Sequence, residues 1–312
     1  MSSPLVPTPS LPEWFETELV TRGTEIDFTA TVGMPVVLRY FELLRWGAMV
    51  EPAFGLRALI DAGHFFVVRS QTIELRERIG QSIPLRMRTR IQSAGRSTAT
   101  VIHEAHMADG TLVARARVLG VWLGPDRRIA RLPDHFRALV PARSAPSDVD
   151  AGPASITTIS GGIATSFIDP PRVSFSPLSL AVDAPSEALP AVFEHRLRVP
   201  PRDLDVFSHV NAATWLAYAD DAREHAAAAA ETDPELARQI DPEIARGYVP
   251  RVAIFYGREA ALHDELRVVL APLGPLRESH ALGVWFFRDA DLLCTMRLDL
   301  APGLRAVTVP SV

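Results

Sequence analysis

Arg198-Val-Pro-Pro-Arg-Asp203-Leu-Asp205-Val-Phe207-Ser-His209-Val-Asn211 joins an alternating stretch to a long alanine-rich one, and the reading of that join decides the fold. Upstream, Phe193 to Val199 alternates apolar and polar side chains as a half-buried strand does. Pro200-Pro201 ends the strand, and Asn211 is a good N-cap for a helix beginning at Ala212. Ala212 to Ala230, with five consecutive alanines near its end, predicts a helix of about 28 Å at 1.5 Å per residue. Extended patterns come next at Arg251 to Tyr256, Glu265 to Leu270, Ala281 to Phe287 and Leu292 to Leu300, with Asp289-Ala290-Asp291 turning between the last two. A helix placed between one strand and a later antiparallel meander buries its apolar face best when the sheet curls around it.

The first half of the chain has the same order. Val37, Phe41, Leu44 and Ala48 share one face of a helix read over about Pro35 to Val50, with Pro35 suited to its first turn. Strand patterns come after it at Phe65 to Leu75, Ile83 to Ile91, Ser97 to Met107 and Leu112 to Leu123. The clearest is Ile83, Leu85, Met87, Thr89 and Ile91, alternating with Arg86, Arg88, Arg90 and Gln92. Asp109-Gly110 is a hairpin signal. The expected fold is therefore α+β, a tandem or double hotdog, each unit an antiparallel sheet wrapped around a long central helix. The expected divisions are 1–140 for the first unit, 141–190 for a linker rich in Pro, Ser, Ala and Gly, and 191–312 for the second.

Composition bounds the function. A 312-residue chain with 47% hydrophobic residues can fill two cores. The net charge of −5 and the interspersed charges offer no footprint for nucleic acid. All 32 basic residues are arginine, which excludes a Schiff-base or phosphate-loop lysine. Cys294 alone can form neither an internal disulfide nor a multi-cysteine zinc site. Neither a signal peptide nor a membrane-spanning apolar stretch is read, so a cytoplasmic protein is expected. His103 and His106 fall on opposite faces of their strand pattern and do not read as a metal pair. No metal and no cofactor is expected; neither Gly-x-Ser-x-Gly nor Gly-x-Gly-x-x-Gly occurs.

Chemistry concentrates in the stretch from Arg198 to Asn211. A helix N-terminus presents backbone N–H groups that can polarise an acyl carbonyl and stabilise an oxyanion. Asp205 and His209, just upstream, can flank that carbonyl as general base or nucleophile and as orienting or donating group. A thioester suits this equipment, because its thiolate leaves without strong acid assistance. Asp203 reads as a loop aspartate serving local backbone groups. The position before the first helix, Gly33-Met34-Pro35, carries no titratable side chain, so the first half is expected to supply pocket walls and no acid or base.

The run Asp203-Leu-Asp205-x-x-x-His209-Val210-Asn211, with Trp215, Tyr218 and Ala222-Arg223 after it, resembles hotdog thioesterases, most closely the plant and bacterial acyl-ACP thioesterases. Those are double hotdogs whose second domain carries an Asp-x-Asn-x-His cluster and a later Glu-Cys pair. The resemblance implies catalytic roles for Asp205, His209 and Glu259, and a substrate-binding group of Asn211, Phe207 and Ala212. Two positions depart: Phe207 replaces the family asparagine and Ala260 the family cysteine. A Phe207 ring facing the site would reduce hydration around Asp205 and make it a better base. The implied function is hydrolysis of a fatty-acyl or polyketide-type thioester on acyl carrier protein or CoA. The substrate thioester is then the partner, with an acyl carrier protein admissible, and a monomer or a homodimer both fit. The alternatives are a hotdog dehydratase or hydratase, whose Asp-x-Asn-Pro-x-His word is missing here, and a non-catalytic acyl-thioester-binding protein.

Overall fold

Apolar residues recur where each element needs a buried face, and the computed structural model places them there; it describes residues 14–27, 31–49, 60–134, 137, 192–205, 208–273 and 280–301. The linker read over 141–190 and Phe207 lie outside the described residues. Helix α1, Met34–Met49, buries Val37, Phe41, Leu44 and Ala48 as their spacing predicts. Around it in sequence run β1 (Phe15–Val20), β2 (Phe65–Leu75), β3 (Pro84–Ala94), β4 (Thr98–Met107) and β5 (Leu112–Leu123). In β3, Leu85, Met87 and Thr89 are buried while Arg86 is exposed. The β4–β5 hairpin turns at Gly110, whose φ of 88° favours glycine, and Thr111 N–H donates to Asp109 Oδ1 at 2.9 Å.

The second half repeats this plan with β6 (Phe193–Arg198), α2 (Ala212–Ala230), β7 (Tyr248–Tyr256), β8 (Glu265–Pro272), β9 (Ala281–Arg288) and β10 (Asp291–Ala301). Two short helices intervene that the sequence periodicity does not announce, α3 (Pro234–Gln239) and α4 (Pro242–Ala245). Their signals lie in their first turns. In Asp233-Pro-Glu and Asp241-Pro-Glu the aspartate caps the helix by accepting from the N–H groups two and three residues on, and proline opens the first turn. Strand β7 also starts at Tyr248, earlier than the expected Arg251.

All the strands pair antiparallel in one ten-stranded sheet, ordered β1-β3-β4-β5-β2-β7-β10-β9-β8-β6. The halves meet at β2 and β7, in register from Ser70 opposite Phe255 to Glu74 opposite Arg251. Helix α1 packs on α2 and against β1 and β3, while α2 packs against β6 and β8. One hydrophobic core runs through both halves, from Phe41 and Leu44 to Leu216, Ala219 and Phe286. Trp215 meets the Phe286 ring edge-on, with centroids 5.1 Å apart, and so fixes the start of α2 on β9.

Candidate active site

After β6, the chain makes a single 3-10 turn at Pro201–Asp203 and then a loop closed by the Leu204–Val210 bridge. Within it Asp205 N–H donates to the His209 carbonyl at 2.8 Å, and Asp205 Oδ1 accepts from His209 N–H at 3.2 Å. Ser208 takes φ 64° to make the turn. Asp205 therefore also shapes its own loop, as an ordinary loop aspartate does. A bridge from His209 to Ala261 and a 2.9 Å bond from Val210 N–H to the Ala260 carbonyl draw the loop against the segment after β7. That pairing sets His209 Nε2 2.9 Å from Glu259 Oε2. Arg127, from the first half, reaches the same oxygen at 3.5 Å. The His209 side chain is 21% exposed and that of Glu259 49%, so the pair lies at the rim of the site. Asp203 accepts from Tyr218 Oη at 2.6 Å, a bond inside the fold that suits its reading as a structural residue.

The start of α2 differs from the expectation of open amide donors. Asn211 caps it, its Oδ1 accepting from Ala213 N–H at 2.9 Å, and Thr214 N–H donates to the Asn211 carbonyl at 3.0 Å. The Ala212 carbonyl accepts from Tyr256 Oη at 3.0 Å, and Gln71 of β2 donates to that same hydroxyl. Asn211 and Ala212 thus lie beside the Asp205–His209 loop, but Ala213 and Thr214 N–H already have partners. Two of the first-turn amides expected to meet a carbonyl are committed to the cap.

A residue that the sequence does not single out stands at the same place. Glu42 of α1 is 6% exposed, and Arg45 on the same helix approaches its carboxyl to 3.9 Å. Burial pushes this carboxyl up; Arg45, Asn211 and Ala213 N–H pull it back, and the charge of Asp205 adds to the rise. Tyr256 of β7 faces it as well and is itself pushed up, first by burial. Periodicity on α1 places Glu42 beside the apolar face, where a carboxylate ordinarily reads as solvated. Its burial comes from α2, far away in sequence.

The match of Gly33-Met34-Pro35 to the Asp205–His209 loop is corrected by the hydrogen bonding. Asp27 N–H donates to the Thr31 carbonyl at 3.0 Å, and an Ile26–Val32 bridge closes that loop, after a 3-10 turn at Gly23–Glu25. At one constant offset in numbering, Asp27 corresponds to Asp205, Thr31 to His209 and Gly33 to Asn211. Tyr40, which donates to Glu25, corresponds to Tyr218, and Glu42 and Arg45 to Asp220 and Arg223. Proximity to the helix is misleading; the true register lies one loop further upstream.

Residues 21–140 match the thioesterase-like superfamily. No curated protein matches the sequence at the significance required. Among solved structures, an acyl-ACP thioesterase from Bacteroides thetaiotaomicron is 15% identical with a TM-score of 0.66, over 93% of this chain and 98% of that one. A 12:0-ACP thioesterase from Umbellularia californica is 14% identical with a TM-score of 0.64, over 93% and 94%. A putative oleoyl thioesterase from Lactobacillus plantarum is 13% identical with a TM-score of 0.65, over 93% and 96%. Among the described residues no helix is long and apolar enough to cross a membrane. The chain is thus a hotdog-fold protein with the architecture of these thioesterases, and the thioesterase-like superfamily is legible in its residues 21–140.

Proposed function

We propose that the protein hydrolyses an acyl thioester to a free acid and a thiol, at a site in its second half. The observation that carries this reading is the convergence of Asp205, His209 and Glu259 beside the start of α2, with His209 Nε2 held 2.9 Å from Glu259. The superfamily match and the likeness to acyl-ACP thioesterases support the same chemistry. Each half-sheet is read as curling around its own helix, and the division at 1–140 and 191–312 is kept.

In this mechanism the Asp205 carboxylate takes a proton from water, and the water oxygen bonds to the acyl carbon. The tetrahedral intermediate then loses the thiolate, which recovers the proton from Asp205. Glu259 fixes the His209 ring, which orients the water and the acyl oxygen. Asn211 and Ala212 bound the site at the helix start; Phe207 is kept as a lining residue on sequence grounds alone. No step calls for a cofactor. The acyl group is of fatty or polyketide type, and the setting is cytoplasmic.

The arginine row on β3 gives an acyl carrier protein little to hold. Arg88 is engaged by Glu104 at 2.6 Å, and both Arg88 and Arg90 stack on Trp14. Acyl-CoA and acyl-ACP are therefore tested side by side. Thiol release from a panel of both is expected. In single-turnover cleavage, Asp205→Asn should be slower by at least about a hundredfold, the low end for loss of a general base, with circular dichroism unchanged. Equal rates would remove Asp205 from the mechanism. Altered acyl unsaturation with the thioester intact would indicate a hydratase, and tight binding without turnover an acyl-thioester carrier.

A further inference from the structure

The buried wall behind the proposed site is not wholly apolar. Gln71 on β2 and His103 on β4 stand on one face of the sheet, with β5 between them. In register, His103 is opposite Ala116, Ala116 is opposite Ile73, and Gln71 lies two residues from Ile73. The His103 ring stacks on Phe41 of α1, centroids 5.4 Å apart, so this is the face that α1 covers. Arg45 is one helical turn beyond Phe41 and is buried with it. His103 is 0% exposed, Gln71 2% and Arg45 8%. Yet Arg45 Nη1, Gln71 Oε1 and both ring nitrogens of His103 have no hydrogen-bond partner within the protein. Unpaired polar atoms this deep weaken the fold, and a cluster of them calls for a partner from outside the chain. The remaining polar atoms of Arg45 and Gln71 lead to the site. Arg45 Nη2 approaches Glu42 at 3.9 Å, and Gln71 Nε2 donates to Tyr256 Oη, which donates to the Ala212 carbonyl at 3.0 Å. The row therefore begins at the start of α2, beside the Asp205–His209 loop, and runs into the first half.

From this row we propose that the protein takes a hydroxylated acyl chain, whose hydroxyl groups are received by Arg45, Gln71 and His103 between α1 and the sheet of the first half. That the ligand is an acyl chain rests on the thioesterase reading; that it is hydroxylated follows from the donors and acceptors. Burial, with the Arg45 charge, holds the His103 pKa well down, so the neutral ring offers one donor and one acceptor. Arg45 Nη1 adds a donor and Gln71 Oε1 an acceptor, so the row holds both kinds. A hydroxyl donates and accepts, and serves either. A ketone only accepts and leaves Gln71 Oε1 unpaired. A chain-end carboxylate also only accepts, and it would meet the Glu42 carboxyl beside Arg45. Gln71 and His103 stand two strand spacings apart, about 10 Å across the sheet, so hydroxyls at different carbons of one chain can reach them. Solvent does not reach these atoms, and an entering chain must part α1 from the sheet. An unsubstituted chain gains no hydrogen bond from that opening, whereas a hydroxylated one forms those that the protein lacks.

The test uses the full chain and acyl-CoAs of one chain length: unsubstituted, with one keto group, and with one hydroxyl moved from carbon to carbon. At least one hydroxyl isomer should exceed the unsubstituted chain in kcat/KM by about tenfold or more, the value of a hydrogen bond to a charged group, and should exceed its keto counterpart. Arg45→Met and Gln71→Leu, with folding checked by circular dichroism, should each bring that ratio toward one, whatever the absolute rate. His106→Leu is the control. It too removes a buried ring with an unpaired nitrogen, but from the opposite face of β4, and the ratio should hold. The wild-type panel decides alone should a variant fail to fold. A wild-type ratio near one for every isomer, or a keto chain preferred to every hydroxyl isomer, overturns the proposal. So does a ratio unmoved in both Arg45→Met and Gln71→Leu, or lowered equally in His106→Leu. If no substrate releases thiol, the hydrolase reading fails by itself, and titration calorimetry with the corresponding free acids decides the hydroxyl site. The best hydroxy acid should bind about tenfold more tightly than the unsubstituted acid; equal or absent binding overturns the proposal.

Discussion

At Glu42, burial opposes ionisation more strongly than Arg45, Asn211 and Ala213 N–H favour it. A carboxyl whose folded-state proton affinity is raised stabilises the fold fully below the unfolded glutamate pKa, about 4.3. That contribution is lost as pH rises through the folded-state value. Glu42→Gln should therefore match the wild type in stability near pH 4 and become progressively the more stable protein toward pH 8. Urea melts across that interval read the difference, and a gap independent of pH would rule out a buried ionisation at this residue. The roles proposed for Asp205 and His209 are read from a local word, a strand end leading into a capped helix. Glu259 needs the family pattern, since only the pairing of His209 with Ala261 brings it near. Glu42 is not legible at all: it is buried where α1 packs on α2, and local periodicity carries no information about a neighbour that distant in the chain.

The elements themselves read more easily, because a strand or helix of ten residues repeats its signal several times. Both long helices and all the meander strands show in the periodicity, and most boundaries differ from it by a residue or two. The failures are short or shared. Helices α3 and α4 are too brief for a period to show, and only their Asp-Pro starts announce them. The attachment of α4 to α2 runs through Arg223, a buried cation whose Nη1 serves the carbonyls of Ala245 and Gly247 at its end. Arg223→Met keeps the volume but leaves those carbonyls and Asp220 without their partner. A loss of about 3 kcal/mol is expected, as for a broken buried ion pair, seen as a lower urea midpoint. A loss under about 0.5 kcal/mol, the range of ordinary surface changes, would mean that α4 is held by other contacts.

Over the whole molecule, the repeat of plan predicts the architecture, while the register between the halves does not follow from it. Two units that share a core through α1 and α2 and a sheet through β2 and β7 form a frame in which one half can complete the other. The open sheet also has a consequence for crowded solution. Among the described residues its outer strands are β1 and β6, nine strand spacings apart, or about 43 Å along the sheet at 4.8 Å per step. Two distinct edges at opposite extremes could each accept a copy of the chain, and such growth has no geometric stop. Alternation puts Glu16 and Glu18 on β1, and Glu194, Arg196 and Arg198 on β6, at exposed positions. These charges act as chain terminators for filament growth. With Glu16 and Glu18 both changed to valine, scattered light should rise with protein concentration in a sample that otherwise stays clear.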